Sequence, residues 1–266
     1  MPQIKIEKDA AVAIVTFNNP PDGYMDSDMV TGITAMLDQV EGDDDVRAVV
    51  LTGGLDGVFI RHYTIVELEA RGRKLREGTA GFDVTHPTPE PPLHAAFRRI
   101  EESRKPYVAA INGTAMGGGF EMTLRCDFRI VQDGPFHLGL PEINLGILPG
   151  AGGTQRLSRI IGQAKTLELT LLGKTLSPQE AAAYGLVTEC VDGPVLPRAL
   201  EIAHELTTKS PHALAYIKHL VRRSEVVAPM DGLASERTLF ADLVRRDEAI
   251  NLMTEMNQGK RGIRDR

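Results

Sequence analysis

The sequence has only two cysteines, Cys126 and Cys190, among its 266 residues. That is too few for a disulfide framework, and each sits in an apolar context, as the buried, reduced thiols of a cytosolic protein do. No run of about 18 apolar residues could span a bilayer. The opening MPQIKIEKDA meets Lys and Glu at once, without the apolar stretch of a secretory signal, so a cytoplasmic location away from membranes is expected. Basic charge is also short: the net charge of -6 argues against a nucleic-acid partner. The histidines (His62, His86, His94, His137, His204, His212 and His219) form no HExxH or comparable ligand set, so no metal is expected. With no GxxxxGK[ST] and no GxSxG, the P-loop and nucleophile-elbow classes are set aside.

What is present is ordinary in bulk and informative in pattern. A hydrophobic content of 42% with 25% charged residues suits a globular chain with a full core. Ile4 and Ile6 alternate with lysines, and Val12 to Phe17 is rich in β-branched residues, which predicts an antiparallel pair turning at Lys8-Asp9. Asn18 to Gly23 reads as a loop. Ser27 is the expected N-cap of a helix whose apolar face is Met29, Ile33, Met36, Leu37 and Val40, ended by Gly42. Arg47 to Thr52 reads as a buried parallel strand, with further strands at Tyr107–Ile111, Asp127–Val131 and Val187–Val191. Strands separated by helices imply right-handed βαβ units.

From Glu69 to Pro92 the chain turns polar and Gly/Pro-dotted, and a long loop is expected, either a lid or a surface excursion. After Gly153 helices dominate. Ser177-Pro178-Gln179-Glu180 is a capping box, and Ser210-Pro211 repeats its cap-and-proline start. The segments Leu196–Arg223 and Leu233–Asn257 carry apolar stripes that need a cover.

The centre of the chain is Lys105 to Arg156. Gly117-Gly118-Gly119 follows a strand-like run and opens a helix-like one, so unpaired N–H groups can approach a ligand there. Glu121 lies between Phe120 and Met122, and Glu142 between Pro141 and Ile143. Carboxyls among hydrophobes resist ionising, and two in one pocket can settle in different protonation states.

INGTAMGGGFE followed by LPEINLGILPGAGGTQRL resembles the signature of the crotonase superfamily, the enoyl-CoA hydratases and isomerases, and the likeness runs from about Ile14 to the last helices. The resemblance implies an α/β fold, a crotonase-like spiral of ββα units over residues 1–195. A C-terminal helical region over 196–266 would cover the site and make trimer contacts, with trimers pairing into hexamers. It implies an acyl-CoA substrate, with coenzyme A arriving as part of the thioester and no separate cofactor. Glu121 and Glu142 match the two glutamates that hold one water in enoyl-CoA hydratases. Gly118 N–H matches one oxyanion-hole donor, and Tyr63 N–H falls at the other.

The segment Ile60-Arg61-His62-Tyr63-Thr64 departs from the small-residue A-G-A-D-like motif of relatives, so pocket width and polarity differ. Because glycine tolerates φ > 0 where His62 does not, the loop path differs too. Tyr24, Met25, Ile60, Arg61, His62 and Thr64 are expected around the coenzyme A and acyl group. Met116, Gly117, Pro141 and Gly150 complete the expected substrate contacts. Lys260 and Arg261 are candidates to reach phosphates across a subunit contact. His62 and Arg61 either join the chemistry, by acid–base work or by recognising a second carboxylate, or point to solvent or to the coenzyme A phosphates. The paired glutamates favour hydration. An isomerase, a C–C bond hydrolase of the same superfamily, or a silent crotonase-shell binding protein are the alternatives; a pocket occluded by His62 and Tyr63 would mark the last.

Overall fold

A computed structural model describes residues 2–78, 81 and 83–264. Strands β1 (Ile4–Asp9) and β2 (Val12–Phe17) form the expected hairpin. It turns at Ala10, the one non-glycine residue with positive φ among those described. His62 is therefore not in the left-handed region, and the loop around it follows a path that histidine can adopt.

Helix α1 (Ser27–Glu41) buries Met29, Ile33, Met36, Leu37 and Val40 on one face, as the spacing predicts. Its cap is Asp26 rather than Ser27: Asp26 Oδ1 accepts the Met29 N–H at 2.8 Å. Both residues are good cappers. Ser27 is the first helical residue, and its N–H and hydroxyl are turned toward Glu67 instead.

The core then repeats one pattern. A first turn runs β3 (Ala48–Gly53), β4 (Gly57–Ile60), α2 (Ile65–Glu77) and α3 (Pro92–Glu102). A second runs β5 (Tyr107–Ile111), β6 (Gly113–Met116) and α4 (Gly117–Thr123). A third runs β7 (Phe128–Gln132), β8 (Leu138–Gly139), a 3-10 turn (Glu142–Leu145) and α5 (Gly153–Ile161). The first strand of each turn joins a six-stranded sheet, and the second joins a four-stranded one. This is the ββα spiral that the sequence suggested. The chain continues through α6 (Gln163–Leu171), β9 (Thr175–Leu176), α7 (Pro178–Ala183) and β10 (Glu189–Val191). The larger sheet has the order β1-β2-β3-β5-β7-β10 and the smaller β4-β6-β8-β9.

The stretch 69–92 is only partly a loop, because α2 reaches Glu77; Thr79, Ala80 and Phe82 lie outside the described residues. This helix escaped the sequence reading because it buries no residue and so shows no apolar stripe. It is supported by local charge. Arg73 Nε donates to Glu69 Oε1 at 3.1 Å one turn back, and Lys74 and Arg76 face the helix C-terminus.

Four helices close the chain: α8 (Val195–Thr207), α9 (Pro211–Arg223), α10 (Pro229–Val244) and α11 (Asp247–Asn257). Val195, Ala199 and Ala203 of α8 lie four residues apart and cover Val50, Val108 and Ala110 of the large sheet. The capping box forms at Ser177. Ser210 does not cap with its side chain; its hydroxyl donates to Glu248 Oε2 at 2.6 Å, tying α9 to α11. Phe240, Val244, Ile250 and Met253 on the last two helices remain exposed. Cys126 is buried, which pushes its thiol up to about 12, while Cys190 is half-buried. Among the described residues no helix is long and apolar enough to cross a membrane.

Candidate active site

Strands β4, β6 and β8 are parallel, with Ile60 beside Ala115, and Ala115 beside Leu138. Their carboxyl ends therefore open on the same side, where loops of parallel sheets commonly gather ligand-binding groups. Each end leads within a few residues to one part of the site: Tyr63 after β4, Gly118 and Glu121 after β6, and Glu142 after β8.

Tyr63 lies in a short bridge beside Met25. Met25 N–H donates to His62 O at 2.8 Å, and Thr64 N–H donates to Met25 O at 2.7 Å. Backbone groups alternate in direction along an extended chain, so the Tyr63 N–H between these bonds points away from Met25. It faces α4: a Cβ built on Gly118 would stand 4.0 Å from Tyr63 N. Gly118 is in the first turn of its helix, where N–H groups have no intrahelical acceptor. Among the described residues neither N–H has an acceptor. Gly119 permits the approach of α4 to β4, since a Cβ there would lie 2.2 Å from the Ile60 carbonyl oxygen.

Glu121 is only 3% exposed. Its Oε1 accepts the N–H groups of Ala151, at 2.7 Å, and Gly153, at 2.8 Å. The two amides flank Gly152, whose φ of +97° turns the chain so that both converge on one oxygen, a backbone nest. Burial pushes the Glu121 carboxyl up, and the two amides and the charge of Arg125 oppose that push.

Glu142 has far less support. Its Oε2 is buried with no hydrogen-bond partner among the described residues, and its Oε1 would stand 3.3 Å from a Cβ on Gly117. Burial raises its carboxyl to about 7, opposed by its own backbone N–H and reinforced by the charge of Glu121. This has a consequence for stability. Between the unfolded value of 4.5 and the folded value of about 7, the folded chain holds a proton that the unfolded chain has lost. Stability therefore falls as pH rises through that window and stays lower above it. With the side chain partly solvated, the cost is about 1–3 kcal/mol. Glu142→Gln is expected to raise Tm at pH 8 and change it little at pH 4.5, read by thermal unfolding at both values. Equal shifts at the two pH values would contradict this assignment.

Both glutamates line one cavity of about 500 Å³, together with Tyr63, Gly118 and Gly150. The other residues marked in the sequence do not form its wall. Met25 and Ile60 are fully buried behind it. Met116, Gly117 and Pro141 are backbone supports at the starts of α4 and the 3-10 turn, and Thr64 precedes α2. Tyr24, Arg61 and His62 form a separate cluster. The His62 ring packs against Tyr24 with centroids 4.7 Å apart, and Arg61 Nε donates to Asp22 O at 2.9 Å. His62 Nδ1 lies 2.8 Å from Tyr63 O, a contact that requires a proton on that nitrogen. Neither Arg61 nor His62 reaches the cavity wall, and His62 is half-buried rather than free in solvent.

Sequence reasoning missed the opposite wall. The Tyr63 hydroxyl donates to Glu67 Oε2 at 2.6 Å, and Ser27 Oγ donates to Glu67 Oε1 at 3.0 Å. Burial and the Glu67 charge hold the Tyr63 phenol well above its usual range. The i to i+4 spacing of Tyr63 and Glu67 was the available signal, hidden because α2 has no buried stripe. The nest at Ala151–Gly153 was also legible in principle, as a Gly-rich turn opening a helix.

The enoyl-CoA hydratase/isomerase profile matches residues 7–259. The short-chain-enoyl-CoA hydratase of Clostridium acetobutylicum is 33% identical over 255 residues, covering 94% of this chain and 92% of that one. Among solved structures, Pseudomonas aeruginosa DspI superposes with a TM-score of 0.86 at 30% identity, over 100% of this chain and 97% of that one. An enoyl-CoA hydratase from Bacillus anthracis gives 0.84 at 28% identity, over 97% of this chain and 96% of that one. The spiral, its glutamate pair and a profile match across nearly the whole chain agree: this chain belongs to the enoyl-CoA hydratase/isomerase family and is an enzyme of the crotonase fold.

Proposed function

We propose that the chain adds water across the α,β double bond of an enoyl-CoA thioester. The observation that carries this reading is the placement of two carboxyls of unequal environment on one cavity, opposite two unpaired N–H groups. The thioester oxygen sits between the Tyr63 and Gly118 amides, which hold the negative charge that develops there. Glu121, gripped by two amides as a carboxylate, takes one proton from water as the water oxygen bonds to the β carbon. The enolate then takes a proton from Glu142 at the α carbon. Passing the proton from Glu121 to Glu142 restores the pair, so the net change is one water added.

The assignment rests on the donors: two main-chain amides and a neighbouring arginine favour charge on Glu121, whereas Glu142 has only its own amide. Hydration thus requires a protonated Glu142, and kcat is expected to fall as pH rises through about 7. A pH series with a short 2-enoyl-CoA checks it. A kcat that climbs through neutrality would reverse the two roles.

A silent shell would have its pocket filled by His62 and Tyr63. Here His62 lies outside the wall, the Tyr63 hydroxyl is drawn to Glu67, and about 500 Å³ stays open. In this reading coenzyme A is carried by the substrate and no other cofactor takes part. The coenzyme runs past the part-exposed Tyr24, Arg61 and His62, since Met25 and Ile60 are fully buried. The uncovered apolar faces of α10 and α11 support a trimer or a pair of trimers, in a cytoplasmic setting.

A further inference from the structure

The turn that grips Glu121 is itself held from behind. Arg125 is 8% exposed, and its Nη2 donates to the Ala151 carbonyl at 2.7 Å. That carbonyl belongs to the same residue whose N–H holds Glu121. The guanidinium packs so closely under the turn that a Cβ on Gly152 would lie 2.1 Å from Nη2. On its other side Arg125 Nη1 donates to Glu101 Oε2 at 2.6 Å, with Glu101 6% exposed. Glu101 Oε2 is shared with Arg156 at 2.6 Å.

A buried ion pair is a poor source of stability, because the cost of removing both charges from water offsets most of their attraction. This one also leaves Arg125 Nε buried without a partner among the described residues. An arrangement so costly, placed one peptide away from a carboxylate of the active cavity, points to a task other than holding the fold. We propose that Arg125, anchored by Glu101, is the positioning residue for Glu121: it fixes the turn whose amides grip that carboxylate and places a compensating positive charge beside it. The inference rests on the proposed role of Glu121 as the base.

The charges around Glu121 are few. Glu142 faces it from the 3-10 turn, Arg125 follows it on its own segment, and Glu101 of α3, Arg156 of α5 and Arg222 of α9 stand behind Arg125. Across the cavity, the wall carries Glu67, Arg71 and His94.

The test is a carbon-13 NMR titration of the glutamate carboxyls in the full chain without substrate, with Glu121→Gln identifying the Glu121 signal. Arg125→Met removes charge and donor; Arg125→Gln removes the charge and keeps a shorter polar head, in case methionine is not accepted in the site. Both are expected to move the Glu121 midpoint up by about one pH unit or more. Glu101→Gln frees Arg125 of its counter-charge and is expected to move the same midpoint down. In turnover, the Arg125 variants lower kcat by about 10–100-fold, with KM changed less than about threefold. Their acidic limb moves up with the midpoint, and Arg125→Lys returns it. A merely structural arginine would lower Tm and leave the titration in place. A folded variant with an unmoved Glu121 midpoint overturns the proposal. Because the titration needs no turnover, that failure is separate from failure of the hydratase reading, which would show as activity surviving in Glu121→Gln.

Discussion

Glu121→Gln and Glu142→Gln are each expected to lower kcat for enoyl-CoA hydration by about 10²–10⁴-fold, the range for loss of a positioned acid or base. Binding of a saturated acyl-CoA should change little, because the Tyr63 and Gly118 amides are main-chain groups that neither substitution removes. The losses should not add in the double variant, since in the proposed mechanism the two carboxyls share one water and one proton. Each single variant also alters its partner. The charge on Glu121 helps to hold the Glu142 carboxyl at about 7, so Glu121→Gln should move the Glu142 midpoint down. Stopped-flow turnover and calorimetric binding on the same preparations separate the two effects. A variant that loses binding in proportion to turnover would place its glutamate in substrate recognition instead.

The second large effect is expected at Gly119 and comes from shape alone. The three glycines at the start of α4 look alike in sequence, but their surroundings differ. A methyl group on Gly118 would meet Tyr63 Cβ at 3.7 Å, an ordinary contact. On Gly119 it would lie 2.2 Å from Ile60 O, 2.8 Å from Ile60 Cβ and 2.9 Å from Ile60 C. Two of those atoms are backbone of β4 and cannot turn aside, so either α4 or the strand must move. Gly119→Ala is expected to cost about 2–4 kcal/mol of stability and to separate the Tyr63 and Gly118 amides. Gly118→Ala is expected to fold with near-wild-type Tm. Denaturant unfolding of the two variants checks the contrast; equal destabilisation would show that α4 does not pack on β4 this closely.

The parts of the fold that were legible are those whose burial leaves a period. The apolar face of α1, the continuous run of β3 and the stripe opening α8 each announce the surface they cover. The glutamates were legible because charge between Phe120 and Met122, or between Pro141 and Ile143, is costly without a purpose. By contrast α2, lying on the surface, carries no stripe and looked like loop. The short strands β4, β6 and β8 are two to four residues each, too brief for a pattern, yet their shared direction brings the site together. The pair Arg125–Glu101 depends on tertiary neighbours: the two residues are 24 apart, and no local spacing connects them. The cluster of Tyr24, Arg61 and His62 was noticed as unusual, but only the fold shows that its rings face one another outside the cavity.

Crotonyl-CoA incubated in water enriched in oxygen-18, with the product read by mass spectrometry, tests the shared-water site most directly. The geometry predicts a 3-hydroxyacyl thioester bearing one heavy oxygen on its β carbon. Formation should collapse in Glu121→Gln and in Glu142→Gln while both still bind the thioester. Label incorporated at the wild-type rate in both variants, or no label taken up by the wild type, would contradict the assignment of these two carboxyls to a single water.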